Sequence, residues 1–101
     1  MFRYKRSIKS VPYEGQGYIY FLCRRFDKLP SGKQEIIRNA ASEATLENRR
    51  ATTEEALMEF LVTDKGINLI CDRYHMSESS LRRAVKTFYS IMWGYVRRGS
   101  I

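Results

Sequence analysis

The stretch INLICDRYHMSESSLRRAVKTFYSIMWGYV, residues 67–96, decides how this chain folds. Apolar residues recur in it at spacings of three and four, which is the period of an α-helix that buries one face. The three residues HMS at 75–77 interrupt that period, and serine favours the N-cap of a helix. The stretch therefore predicts a helix over residues 67–74, a tight turn, and a longer helix over residues 78–96.

The residue types around this turn match a helix-turn-helix over about residues 67–87. Such a motif needs a small residue in the first helix where the two helix axes approach, and Cys71 stands there. Met76 would fill the junction, and His75 would take the left-handed turn that glycine most often occupies, at a cost of order 1 kcal/mol. The inner faces are expected to bury Ile70, Tyr74, Leu81 and Ala84. The alternative is a simple αα-hairpin whose arginines are only solvated.

In a helix-turn-helix, the N-terminal part of the second helix enters the major groove of DNA. The outward side chains of that segment are the candidate DNA contacts: Ser77, Glu78, Ser79, Ser80, Arg82, Arg83 and Lys86. Arg82 and Arg83 lead this set, because a guanidinium can form two hydrogen bonds to guanine or hold a phosphate. The helix end that Ser77 caps is suited to a phosphate. Glu78 either accepts from cytosine or, as an ordinary first-turn acid, stabilises the helix dipole.

Charge is distributed unevenly along the chain. Lysine and arginine total 18 against 11 acids, which gives a formal net charge of +7. Residues 1–10 and 81–101 contain basic residues and no acid, whereas residues 43–64 hold six acids against two arginines. This distribution predicts an acidic partner, with double-stranded DNA as the leading candidate. A basic surface that is only solvated is the alternative.

A chain of 101 residues is expected to form one domain, because separate cores usually arise only in longer chains. Proline and glycine punctuate the N-terminal segment, so residues 1–16 are predicted to be a basic, flexible arm. Arg3, Lys5 and Arg6 of this arm are candidate contacts to phosphate or to the minor groove. Residues 17–101 are predicted to form a single, small all-α domain.

Three further segments precede the helix-turn-helix. Residues 18–26 are rich in aromatic and apolar side chains. Their periodicity does not distinguish a helix from a strand, although a helix is favoured. A turn at residues 29–32 precedes a helix that Ser31 would cap. Thr52 and Glu55 have the spacing of a capping box, which predicts the start of another helix.

Several classes of function lack a matching residue pattern. Cys23 and Cys71 lie far apart in apolar stretches and His75 is the single histidine, so we expect buried free thiols and no metal site. No nucleophile, base and oxyanion site is assembled, which predicts a non-enzymatic protein without a cofactor. The longest apolar run has six residues, where a bilayer span needs roughly 20, and no signal segment is recognisable. We therefore expect a cytoplasmic, nucleoid-associated protein with no membrane partner.

The last predicted helix holds the aromatic residues Phe88, Tyr89, Trp93 and Tyr95. We interpret them first as core, and otherwise as a dimer surface or as stacking platforms for single-stranded nucleic acid. A helix that is apolar on more than one side in so small a domain predicts a homodimer or a larger homo-oligomer.

Three short motifs support a family resemblance: LP at residues 29–30, ALMEFLV at 56–62 and CDRY at 71–74. Over roughly residues 29–96 the chain resembles the Pap-type family of enterobacterial fimbrial (adhesin-biosynthesis) transcription regulators. The family tends to have a polar, basic patch just ahead of its cysteine, where this chain has INL at 67–69, so no contact is transferred to those positions. The resemblance implies an oligomeric DNA-binding regulator of surface-appendage genes.

The leading functional hypothesis is a sequence-dependent, double-stranded DNA-binding transcription regulator. Similar helix-turn-helix strings occur in plasmid partition and transfer regulators and in activators of secretion systems, so the regulated genes stay open. A non-enzymatic protein–protein adaptor or anti-regulator that uses a helical surface is the runner-up. An RNA-binding module that stacks bases on Tyr18, Tyr20 and Phe21 is a third hypothesis.

Overall fold

The computed structural model describes residues 10–46 and 52–101, and every regular element within them is helical. The α-helices are α1 (Tyr13–Arg24), α2 (Ser31–Thr45), α3 (Glu54–Val62), α4 (Ile67–Tyr74) and α5 (Glu78–Arg97). A short 3-10 turn, Phe26–Lys28, joins α1 to α2. The predicted all-α fold is therefore confirmed. None of these helices is both long and apolar enough to cross a membrane.

Helix α5 forms the centre of the fold, and the other four α-helices all pack against it. Its inner face buries Leu81, Ala84, Val85, Phe88, Tyr89 and Met92. The facing side chains of the other helices include Ile19, Ile37, Ala40, Leu57 and Ile70, all of them fully buried. The rings of Phe88 and Tyr89 meet edge to face with centroids 5.9 Å apart. The interpretation of these two aromatic residues as core is thus correct, and Trp93 and Tyr95 are partly buried against the same core.

Helix α1 begins earlier than the sequence analysis predicts. The flexible arm was expected to reach residue 16, but the helix starts at Tyr13, directly after Pro12. The Gln16 amide donates to the Pro12 carbonyl at 2.9 Å, and the Gln16 side chain donates to the Val11 carbonyl at 2.9 Å. Because Val11 and Gln16 are buried, this segment belongs to the core. Residues 1–9 of the predicted arm lie outside the described residues.

The open choice between helix and strand for residues 18–26 is settled in favour of helix, which ends at Arg24. Its two glycines have different environments. A Cβ built on Gly15 would lie 2.6 Å from a ring carbon of Trp93, so the missing side chain lets α1 approach α5 closely. A Cβ built on Gly17 meets no heavy atom within 4 Å. Close packing therefore explains one glycine of this helix and leaves the other unexplained.

Two predicted helix caps are displaced by one residue. Thr53 rather than Thr52 caps α3, and its hydroxyl accepts from the Ala56 amide at 3.2 Å. Thr52 is buried, whereas Thr53 lies exposed at the start of the helix. At the start of α2, the expected cap Ser31 is instead the first helical residue and Pro30 precedes it. A proline with its fixed φ sets the chain direction there without a side-chain cap.

The two glycines of α1 offer a matched pair of substitutions. We expect Gly15→Ala to lower the free energy of unfolding by about 1 to 3 kcal/mol, because the helix and the Trp93 indole would have to separate. Gly17→Ala is expected to raise it by up to about 1 kcal/mol, because alanine is the better helix former and has open space. Urea unfolding at low micromolar protein concentration measures both. Changes of the same sign and size would contradict the close packing of α1 on α5.

Candidate nucleic-acid interface

Helices α4 and α5 and the turn between them occupy the positions of the predicted helix-turn-helix. Helix α4 ends at Tyr74, and His75 follows with φ 54° and ψ 51°, the left-handed conformation that the sequence predicts for the turn. The Met76 amide then donates to the Cys71 carbonyl at 3.1 Å, which closes the end of α4 in a Schellman motif. The turn is therefore a hydrogen-bonded reversal, with φ above zero at a residue that is not glycine.

The inner face of the motif is buried as expected. Ile70 and Leu81 are fully buried, and Cys71 and Ala84 are nearly so. Tyr74 and Met76 are half-buried and pack against the same core. These contacts hold α4 against the first turns of α5, so the outer face of α5 is presented in one fixed orientation.

Ser77 caps α5, as predicted. Its hydroxyl accepts from the Ser80 amide at 3.2 Å and donates to the Ser80 hydroxyl at 2.8 Å. Ser80 is half-buried rather than outward-facing, because its position borders the face that holds Ala84. Of the serines expected to point outward, Ser79 lies exposed on the first turn of α5 and Ser80 does not.

The remaining predicted contacts lie together on the outer face of α5, and Glu78, Ser79, Arg82, Arg83 and Lys86 are all exposed. Helical spacing puts Ser79, Arg83, Lys86 and Ser90 along one stripe. We call the exposed set Ser79, Arg82, Arg83 and Lys86 the basic face.

One ion pair modifies this basic face. Arg82 Nη2 lies 3.2 Å from Glu78 Oε1, one helical turn earlier, and both side chains are about half exposed. Arg83 and Lys86 form no ion pair within the described residues. Glu78 thus offsets one of three cations and holds the Arg82 guanidinium beside the N-terminus of α5, which sequence reasoning did not anticipate.

The chain also approaches the basic face from the N-terminal side. The Ser10 hydroxyl lies 2.8 Å from the Ser90 hydroxyl, one turn of α5 beyond Lys86. Residues 1–9, which include the predicted contacts Arg3, Lys5 and Arg6, precede this point and lie outside the described residues. The described chain therefore starts at the same side of α5 as the basic face.

A polar cluster that sequence reasoning missed fixes α4 relative to α3. Glu59 on α3 accepts from Lys65 Nζ at 2.7 Å, Arg73 Nη1 at 2.6 Å and Tyr74 Oη at 2.7 Å. Its side chain is only 16% exposed. The available signal was an acid in the middle of the apolar run at residues 56–62. We call Glu59 and its three donors the Glu59 clamp.

The hydrogen bonds of the clamp shift the pKa values of Glu59 and Tyr74. Donation from Lys65, Tyr74 and Arg73 lowers the pKa of Glu59 from 4.5 to about 2. The hydrogen bond between Tyr74 and Glu59 raises the pKa of Tyr74, because the Glu59 carboxylate holds the hydroxyl proton. Glu59 is therefore a carboxylate at neutral pH.

The two cysteines are free and buried, as expected. Burial raises the pKa of Cys23 to about 12 and raises the pKa of Cys71, so both thiols are protonated at neutral pH. In the described part of the chain, no group of three or more histidine, cysteine or acidic side chains could hold a metal ion.

Comparison with protein-family models, with curated proteins and with solved structures found no match to this chain. The resemblance to the Pap-type family therefore stays a prediction that rests on the three motifs quoted above.

The Glu59 clamp makes stability depend on pH in a predictable direction. A carboxyl group whose pKa is lowered by folding adds stability that is fully present above its ordinary pKa, 4.5, and lost as the pH falls toward 2. Glu59→Gln should therefore lower the urea midpoint most above pH 5, and the gap to the unmodified protein should narrow toward pH 2.

Glu35→Gln is the matched control for this measurement, because Glu35 is an exposed acid of α2 with no ion pair among the described residues. It removes the same charge without touching the clamp. A gap between Glu59→Gln and the unmodified protein that stays constant from pH 2 to 7 would show that the clamp charges do not stabilise the fold.

Proposed function

We propose that this protein is a sequence-dependent, double-stranded DNA-binding transcription regulator that inserts α5 into the major groove. The observation that supports this proposal most directly is the basic face on the first turns of α5. It stands directly after a tight left-handed turn, on the helix that a helix-turn-helix uses for recognition. An αα-hairpin with a structural role would need no such clustering of exposed cations at this place.

The basic face offers two kinds of DNA contact. Arg82 is oriented by Glu78 at 3.2 Å near the start of α5, where helix-turn-helix proteins reach base edges. Arg83 and Lys86 extend along the same exposed side and are suited to the phosphates that border the groove. We therefore propose Arg82 as the base-reading residue, with Glu78 as its positioning residue.

The N-terminal segment is proposed to add further contacts. Ser10 lies against Ser90 beside the basic face, and the segment before it contains Arg3, Lys5, Arg6 and Lys9 without an acid. Because these cations directly precede Ser10 in the sequence, we propose that they contact phosphates or the minor groove beside α5.

The regulated genes follow only from the family resemblance. We propose surface-appendage (fimbrial) or related bacterial genes as targets, and a homo-oligomer at the nucleoid as the binding species. A twofold arrangement of helix-turn-helix subunits would read paired half-sites about one helical turn of DNA apart.

Fluorescence anisotropy with pooled bacterial promoter duplexes tests the proposal. We expect Arg82→Ala plus Arg83→Ala to weaken binding at least tenfold, because two guanidinium contacts to bases or phosphates are lost. Titrations at about 50 and 200 mM salt should also show a shallower salt dependence for the variant, since fewer counterions are released.

Lys28→Ala plus Lys33→Ala supplies the matched control, because it removes two exposed positive charges outside the helix-turn-helix. Its effect on affinity should be less than about threefold. An equal loss in both double variants would mean that only net charge matters. A folded protein that binds no duplex at 50 mM salt would overturn the proposal and favour an acidic protein partner for the basic face.

A further inference from the structure

The outward face of α1 is an aromatic surface that the described fold leaves uncovered. Phe21 is 62% exposed and Tyr18 is 44% exposed. Phe21 lies about 120° around α1 from Gly15, the residue that contacts Trp93 on α5. This face therefore points away from the core, and its aromatic exposure needs an explanation.

Gly17 lies in the middle of the same face. A helix-interior glycine costs roughly 0.5 to 1 kcal/mol relative to alanine, and the interior packing that accounts for Gly15 is missing here. Its position precedes Phe21 by four residues, so the two lie on one line along the helix. A missing side chain at this point leaves room for the backbone of a second helix.

The charges on this face are self-complementary. Glu14 is exposed in the first turn of α1, and Arg25 is exposed directly after its last residue. Neither belongs to an ion pair within the described residues, whereas the neighbouring Arg24 is held by Asp64 at 2.5 Å. The acid at one end and the base at the other are what an antiparallel copy of the same helix would need.

We propose that α1 is a homodimer interface, in which two copies of α1 pack antiparallel about a twofold axis. The register that places Tyr18 opposite Phe21 of the second copy also places Glu14 opposite Arg25 of the second copy. Each contact then occurs twice, as an isologous interface requires. Gly17 lies beside the helix crossing and lets the two backbones approach.

The size of the surface sets the expected strength of the dimer. Helix α1 has 12 residues and is about 18 Å long, so one pair of such helices buries less than the 1,200 to 2,000 Å² of stable interfaces. Each copy also has a net charge of +7, which opposes association at low salt. We expect a reversible dimer with a dissociation constant on the order of micromolar.

Sedimentation equilibrium without DNA, from about 5 to 500 μM protein at roughly 150 mM salt, tests the interface. Arg25→Glu and Glu14→Arg should each raise the dissociation constant about tenfold, because both symmetric ion pairs become repulsive. The double variant Glu14→Arg plus Arg25→Glu should return it to within about threefold of the unmodified value, because the pairs re-form with exchanged signs. A structural role of either residue within one subunit predicts no such rescue.

Two further variants keep the test independent of folding and of net charge. Gly17→Gln should raise the dissociation constant more than tenfold while leaving the thermal unfolding midpoint unchanged or higher, because its side chain projects into open space in the monomer. Lys33→Glu changes the net charge by the same amount as Arg25→Glu at an exposed position of α2, and it should not weaken the dimer.

The proposal rests on the oligomeric part of the proposed function, but its measurement contains no DNA, so the failure of one is distinguishable from the failure of the other. A chain that stays monomeric over the whole concentration range overturns it. A dimer that is insensitive to Gly17→Gln, or that the double charge exchange fails to restore, also overturns it. If a monomeric protein instead binds single-stranded RNA and Phe21→Ser abolishes that binding, the face is a base-stacking surface.

Discussion

The division of α5 into a buried face and a basic face is the constraint on which the rest of the structure depends. Its 20 residues lie in the centre of the fold, where one side packs against the other four helices. Burying large side chains such as Phe88 and Met92 stabilises the domain by roughly 1.5 to 3 kcal/mol each. The helix therefore cannot rotate without exposing core, and Arg83 and Lys86 are held outward as a consequence of packing.

Helix α4 depends on contacts with its neighbours more than α5 does. Eight residues are too few for a helix to be stable in isolation, so tertiary contacts must hold it. Ile70 supplies an apolar anchor, and the Glu59 clamp ties its last turn to α3 through Arg73 and Tyr74. The clamp and the Schellman turn act at the same end of α4, next to the start of α5. The orientation of α5 relative to α4 is thus fixed from both sides of the turn.

Much of this arrangement could be predicted from the sequence, because its determinants are local. The Ser77 cap, the interruption at His75 and the helical period of residues 78–96 lie within a few residues of one another. Two of the missed features depend on residues far apart in the chain. Gly15 is needed because Trp93 packs against it from another helix. In the Glu59 clamp, Arg73 and Tyr74 follow Glu59 by 14 and 15 positions. No short-range period indicates such contacts, so the close packing of α1 on α5 and the clamp were visible only in three dimensions.

The proposed DNA-binding surface on α5 and the proposed dimer surface on α1 would be coupled by charge as well as by symmetry. Bringing together two copies, each with a net charge of +7, is opposed electrostatically, and the phosphates of a bound duplex would remove much of that repulsion. A duplex with two half-sites should therefore strengthen the weak α1 contact, and by linkage the α1 contact should strengthen DNA binding by the same factor. Because this coupling exists only when both half-sites are present, a small and individually weak interface can still select paired sites over single ones. A larger, more apolar α1 surface would hold the dimer together far below micromolar concentration, with or without DNA, and would give up part of that selectivity.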